Sequence, residues 1–288
     1  MGVSWPESER RLDGIAGARI KVKRAEQHLH ELHDVVGAFF REQPYPYAVE
    51  TKTEEDSGKR MTVRSIHILR KPDPMIGAVA GDLVNCLRSA LNYTWSAVWM
   101  ADGFVSKNPN RFEAFPSGDR ANGLERLRKA VETPRHHAAV ELVSTLNPYD
   151  GGNKYLEAII KASNEDKHGL LLPVATSIDT VNLKLSEAIK AGIRPDLAPL
   201  LQLGDMIAPI PIEPICPVEE GAILQRFDAD GKVDMNPDPK FDISLAKPEF
   251  FRGKRIGLAM FMLLEFVKDA MKLFRDAGLL QHYWKTSN

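Results

Sequence analysis

At 288 residues, 43% apolar and 27% charged, the chain has the composition of a soluble globular protein with ample core, which excludes collagen-like, low-complexity and disordered classes. Its 38 basic and 39 acidic side chains leave a net charge of −1, so bulk charge cannot make it a polyanion binder and only a local basic patch stays open. Two cysteines, Cys86 and Cys216, make no disulfide framework, the start MGVSWPESERRL lacks an apolar secretory core, and the run Ile256 to Leu264 is too short to span a bilayer. The expectation is a cytoplasmic protein with no membrane segment.

Residues 8–42 are patterned as a long helix, with Val22, Ala25, Leu29, Leu32, Val36 and Phe39 recurring at steps of three and four before Pro44 and Pro46. Glu26, His30, His33 and Asp34 on this helix have the spacing of metal ligands, but nothing elsewhere completes a set, and no metal or cofactor is expected. Tyr47 to Lys52 and Met61 to Arg70 form a predicted β-hairpin around TEEDSGK. The alternation slips at Arg64-Ser65, which predicts a bulge there, and His67 should face away from the apolar side.

Pro72 and Pro74 introduce a central helix, Ile76 to Met100. Asp82, Asn85, Ser89, Asn92 and Ser96 fall 3, 4, 3 and 4 apart, one continuous polar stripe on a helix, with Arg88 on its border. The apolar residues on both flanks predict a mostly buried helix, and Gly77 and Gly81 leave a flat strip for close approach of another backbone. The commoner reading of such a stripe is a narrow solvated face. Its chemistry argues for an inter-helix network instead, since four of the five residues are short amides or hydroxyls.

Gly103 to Asn122 is a loop, and Phe112 and Phe115 could pack it over the end of the bundle. Short helices follow at about Leu124 to Glu132 and Arg135 to Leu146; Arg120, Arg126, Arg128, Lys129, Arg135, His136 and His137 make this the most basic local segment, a solvated face or a phosphate-contacting one. After the Pro148–Gly152 break, Asn153 is the predicted N-cap of a further helix with Tyr155, Ile159 and Ala162 on one face. Asp166 continues that face, where a carboxylate needs a cation or donors, and Arg88 is the predicted partner. Asn164 and His168 lie on a neighbouring face with Lys167 between them. In the plainer reading this is a helix end, with His168 favouring the C-terminal dipole and Gly169 as the cap.

GDLVNCLRSALNYTWSAV resembles the run G-D-x-x-x-N-L-R-S-A-L-D-H of a widespread, uncharacterised bacterial family, and Asn164 to Gly169 is similar to that family's N-x-D-K-H-R run. Phe115-Pro116, Asn147-Pro148-Tyr149 and the hairpin before the glycine-bearing helix match as well, so the resemblance covers roughly residues 20 to 275. Asn92-Tyr93 stand where the family has Asp-His, and Gly169 where it has Arg. The family's Arg-Ser-Ala-Leu-Asp-His looks like the active motif of HEPN-type metal-independent ribonucleases. That resemblance implies Arg88 stabilising charge on a phosphate and a histidine moving the proton, which in this chain falls to His168 because Tyr93 replaces the other.

Leu170 to Ser177 is apolar enough for a buried strand, a helix is predicted from about Leu183 to Lys190, and IAPIPIEPICP can only be extended or an edge strand. Ala222 to Phe227 and Phe241 to Leu245 look like a second hairpin joined by DADGKVDMNPDPK, which begins like a calcium loop but lacks its closing Glu. Ile256 to Leu273 is apolar on too many sides for a one-faced helix, and should be covered by bundle and sheet or by bundle and a second subunit.

These elements predict one α+β domain over 1–288: a helical bundle of four or more helices, at about 8–42, 76–100, 124–168 and 256–274, with an antiparallel β-sheet packed against it from hairpin regions at 47–70 and 170–246. No nucleotide loop, nucleophile elbow or zinc motif occurs. Two functions fit. One is a binding or interaction module recognising a nucleotide, RNA or protein partner through Asn85, Asn92, Tyr93, Asn164 and Lys167, with a homodimer formed through the last helix as a further expectation. The alternative is a HEPN-like ribonuclease with an altered motif, its catalytic set being Arg88, Asp166 and His168.

Overall fold

The computed structural model describes residues 14–53, 60–100, 114–116, 122–131, 133–149, 151–184, 186, 207–211, 216–228 and 238–280. Among them lie six α-helices: α1 (Gly14–Arg41), α2 (Pro74–Met100), α3 (Asn122–Ala130), α4 (Pro134–Thr145), α5 (Lys154–His168) and α6 (Ile256–Asp276). Six strands complete the α+β architecture: β1 (Tyr47–Thr53), β2 (Arg60–Ile66), β3 (Pro173–Lys184), β4 (Ile207–Pro211), β5 (Ile223–Asp228) and β6 (Asp238–Leu245). The strands form two antiparallel sheets of three, in the orders β1-β2-β5 and β4-β3-β6.

The bundle is built on α2, which packs against α1, α5 and α6. Leu83, Val84, Leu87, Leu91, Trp95 and Val98 are buried on α2, and they join one core with Leu29 and Leu32 of α1, Leu156 and Ile159 of α5, and Leu263, Val267 and Phe274 of α6. Removing these side chains from water is the main force that assembles the bundle, since each is worth about 1.5–3 kcal/mol when fully buried. The chain stops α1 before two prolines and starts α2 on Pro74, where a missing N–H costs nothing. Thr133 caps α4 and Asn153 caps α5, the latter accepting from the amides of Tyr155 and Leu156.

The first hairpin forms as the alternation predicts, and the β2–β5 register shifts between Arg64 and Ser65, where the slip in the pattern lies. His67 is exposed and meets Glu220 at 2.8 Å. Two expectations are corrected. The segments 223–228 and 241–245 are strands but do not pair with each other: β5 adds to β2, and β6 to β3. Leu183 and Lys184 belong to β3, so the helix expected from about Leu183 does not begin there; Ser186 is helical, and the rest of that expected helix lies outside the described residues. On α6, Leu258, Phe261 and Leu273 are 56%, 48% and 41% exposed, so the described residues leave part of this helix uncovered, and of its two expected covers a second subunit is the one that would reach these side chains.

The segment 216–222 ties the sheets together, its Val218 amide donating to Ala175 of β3 and its Gly221 amide to Ile66 of β2. The proline-bearing strand β4 lies at a sheet edge, as expected of a segment short of donors. No described helix is long and apolar enough to cross a membrane. The expected calcium-like turn and most of the loop after α2 lie outside the described residues.

Candidate functional site

The two motifs lie side by side, on α2 and α5, which run antiparallel. A Cβ added to Gly77 would stand 1.9 Å from the carbonyl oxygen of Leu171, and one on Gly81 would stand 2.0 Å from Oδ1 of Asp166. Both are closer than any side chain tolerates, so the bare strip on α2 is what lets the end of α5 come this near. The strip was legible in the sequence; its partner was not.

Beyond the strip the side chains form a directional chain of hydrogen bonds. Arg88 Nη1 donates to Ser163 Oγ at 3.3 Å and to Asn164 Oδ1 at 2.5 Å. Ser163 Oγ donates to Asn85 Oδ1 at 2.8 Å, and Asn85 Nδ2 donates to Asp166 Oδ2 at 2.7 Å. Polarity therefore runs guanidinium, hydroxyl, amide, carboxylate, each bond polarising the next. Ser89, the next stripe residue, returns its hydroxyl to the Asn85 carbonyl at 2.8 Å.

This corrects the predicted Arg88–Asp166 ion pair: the two charges are joined only through Ser163 and Asn85. Helix geometry gives the reason. Asn164 and Asp166 project about 200° apart on α5, and Arg88 reaches the Asn164 side while Asn85, one turn earlier on α2, stands level with Asp166. Burial pushes the Asp166 carboxyl above the ordinary aspartate range; the Asn85 hydrogen bond pulls it down and the Asp82 charge pushes it up again.

The remaining predicted residues divide. Asn164 is in the network, whereas Lys167 and His168 are exposed on the last turn of α5 and make no hydrogen bond or ion pair among the described residues. Asn92 turns away to accept the Phe115 amide at 2.9 Å, which holds residues 114–116 where Phe115 packs on Trp95 and Phe274. Tyr93 lies against Gly17 of α1 and takes no part in the α2–α5 contact. Ser163, 1% exposed, is the member that sequence reasoning missed; its place one turn after the apolar Ile159 was the available signal.

The other candidates are taken up structurally. Glu26 pairs with Lys268 at 2.8 Å, His33 packs on Gly257, and no group of three possible metal ligands gathers among the described residues. In the basic segment Arg128 is paired with Glu141 at 2.7 Å and His136 is buried beside Trp99, which leaves these two members of the segment engaged within the protein. No protein-family model matches this chain, and no curated protein or solved structure is significantly similar to it.

Proposed function

We propose that the protein is a binding module that receives an anionic group of its partner, a nucleotide or RNA phosphate in the first instance, at Arg88 on the α2–α5 face. The observation that carries this reading is how the guanidinium is held. Arg88 is half-buried and oriented through Nη1 by two neutral acceptors, while its other nitrogens have no partner among the described residues. A guanidinium fixed in this way offers an N–H edge suited to a phosphate's oxygens. The exposed Lys167 adds a cation near the end of α5, the helix whose Asn164 holds the Arg88 guanidinium. The resemblance of the two motifs to one bacterial family supports the choice of positions.

The test is a binding assay with a labelled single-stranded RNA, a structured RNA and ATP, beside Arg88→Ala and His168→Ala variants. Binding that drops about tenfold or more in Arg88→Ala, without RNA cleavage, is the expected result. Binding unaffected by Arg88→Ala sinks the reading. Cleavage of RNA that both substitutions abolish would instead favour the metal-independent ribonuclease with an altered motif.

Leu258 and Phe261, exposed three residues apart at the start of α6, support a second copy of the chain as a further partner. Light scattering across a dilution series should then give a dimer mass that falls to the monomer's in Phe261→Glu. A wild-type monomer at all concentrations ends that reading.

A further inference from the structure

Two strips of chain, 67–71 after β2 and 216–222 before β5, lie side by side and are fastened to each other. The Gly221 amide donates to the Ile66 carbonyl, and the Ile66 amide to the Ala222 carbonyl. The Glu220 carboxylate grips the first strip twice, accepting from the Ile68 amide at 2.6 Å and meeting His67 Nδ1 at 2.8 Å. The Ile68 amide first, and then His67, hold that carboxyl below the usual glutamate range. Each strip is also tied to the body of the protein, the first by the Leu69 amide on the Pro44 carbonyl and the second by the Val218 amide on the Ala175 carbonyl.

A cleft of about 510 Å³ opens between the two strips, a size that suits a small molecule. Its charges are segregated. One strip lines it with Arg70 and Lys71, the other with Glu219 and Glu220. Ile68 and the buried Val218 add apolar surface, and Leu69, 72% exposed, adds more at the edge. Although both signs face the same cavity, no ion pair spans it among the described residues. Arg70 pairs with Glu42, and Glu220 is engaged by His67 and the Ile68 amide. Lys71 and Glu219 are exposed and have no side-chain partner among the described residues.

We propose that this cleft is a second site, independent of Arg88, for a small zwitterion with an apolar side chain, an α-amino acid. Lys71 takes its carboxylate, Glu219 takes its ammonium, and its side chain lies on Ile68 and Val218. A ligand carrying both charges complements walls of opposite sign that do not neutralise each other. A phosphate does not fit here, because Glu219 and Glu220 repel it. The hydrogen bonds that fasten the strips hold the two walls before the ligand arrives, which lowers the ordering cost of binding.

The test is saturation-transfer NMR of L-leucine with the full-length protein, beside two probes that each lack one of its charges, isoamylamine and 4-methylpentanoate. The variants are Lys71→Gln, Glu219→Gln, their double and, as a charge control on α6, Lys272→Gln, each checked for native circular dichroism. The expected result is a saturable leucine signal whose affinity falls about tenfold in each single variant of the cleft, vanishes in the double and is kept in Lys272→Gln. Each singly charged probe should bind about tenfold more weakly than leucine. No saturable signal in wild type, or leucine binding kept in the double, overturns the site. Weakening in only one of the two single variants, or a probe that binds as tightly as leucine, overturns the two-ended recognition on which the proposal stands.

Discussion

Asn85 is the residue on which the α2–α5 contact turns, because it serves both neighbours at once: its carbonyl accepts from Ser163 and its amide donates to Asp166. Asn85→Ala leaves a buried hydroxyl and a half-buried carboxylate without their partner, and should cost about 2–4 kcal/mol in denaturant unfolding. Asp166→Asn should behave differently. The folded Asp166 carboxyl titrates above its unfolded value of about 3.9. Its favourable contribution is therefore complete below that value and lost as pH rises through the folded pKa. A neutral amide can still accept from Asn85 and carries no buried charge. Stability of Asp166→Asn relative to wild type should rise from pH 4 to pH 7, measured as the difference in melting temperature; a difference that falls with pH would be inconsistent with the burial of this carboxylate. How much of this was legible follows from the residues. The stripe, the Asp166 position and the glycine strip could be read from spacing, while the choice of Asn85 over Arg88 as the aspartate's donor depends on the axial offset of two helices that meet through non-local packing.

Among the elements, α5 carries three of the network's members, so what fixes its ends fixes the site. Asn153 caps it through the amides of Tyr155 and Leu156, and Asn153→Ala should cost about 1 kcal/mol without moving Arg88. At the far end, Gly81→Ala would drive a methyl into the Asp166 carboxylate. That substitution should cost about 1–3 kcal/mol and should also weaken any ligand bound at Arg88, because α5 must shift to admit it. A Gly81→Ala variant with unchanged stability would mean that α5 does not sit on this strip. The strands tell the complementary story. Local signals served well where the partner was near in sequence, as for β1 and β2, and the slip at Arg64-Ser65 was legible within β2 although the ladder that shifts there is the one with the distant β5. They failed for β5 and β6, which have the patterning of strands but exchange partners, since alternation specifies a buried face and not which neighbour lies across the ladder.

In the molecule as a whole, α2 is the element around which the others are laid, touching α1, α5 and α6 along a core that ends in the aromatic group of Trp95, Trp99, Phe115 and Phe274. Amide hydrogen exchange should find the backbone of Leu83 to Val98 opening only with global unfolding, and the last turn of α5 opening far more readily. Fast exchange in the middle of α2 would contradict this order. The prolines of β4 lead to a different consequence. Pro209 and Pro211 remove two amide donors from a strand at the rim of its sheet, and a rim lacking donors is a poor template for a foreign strand. The protein is thereby steered away from growing into filaments at that border, whatever partners it gathers elsewhere.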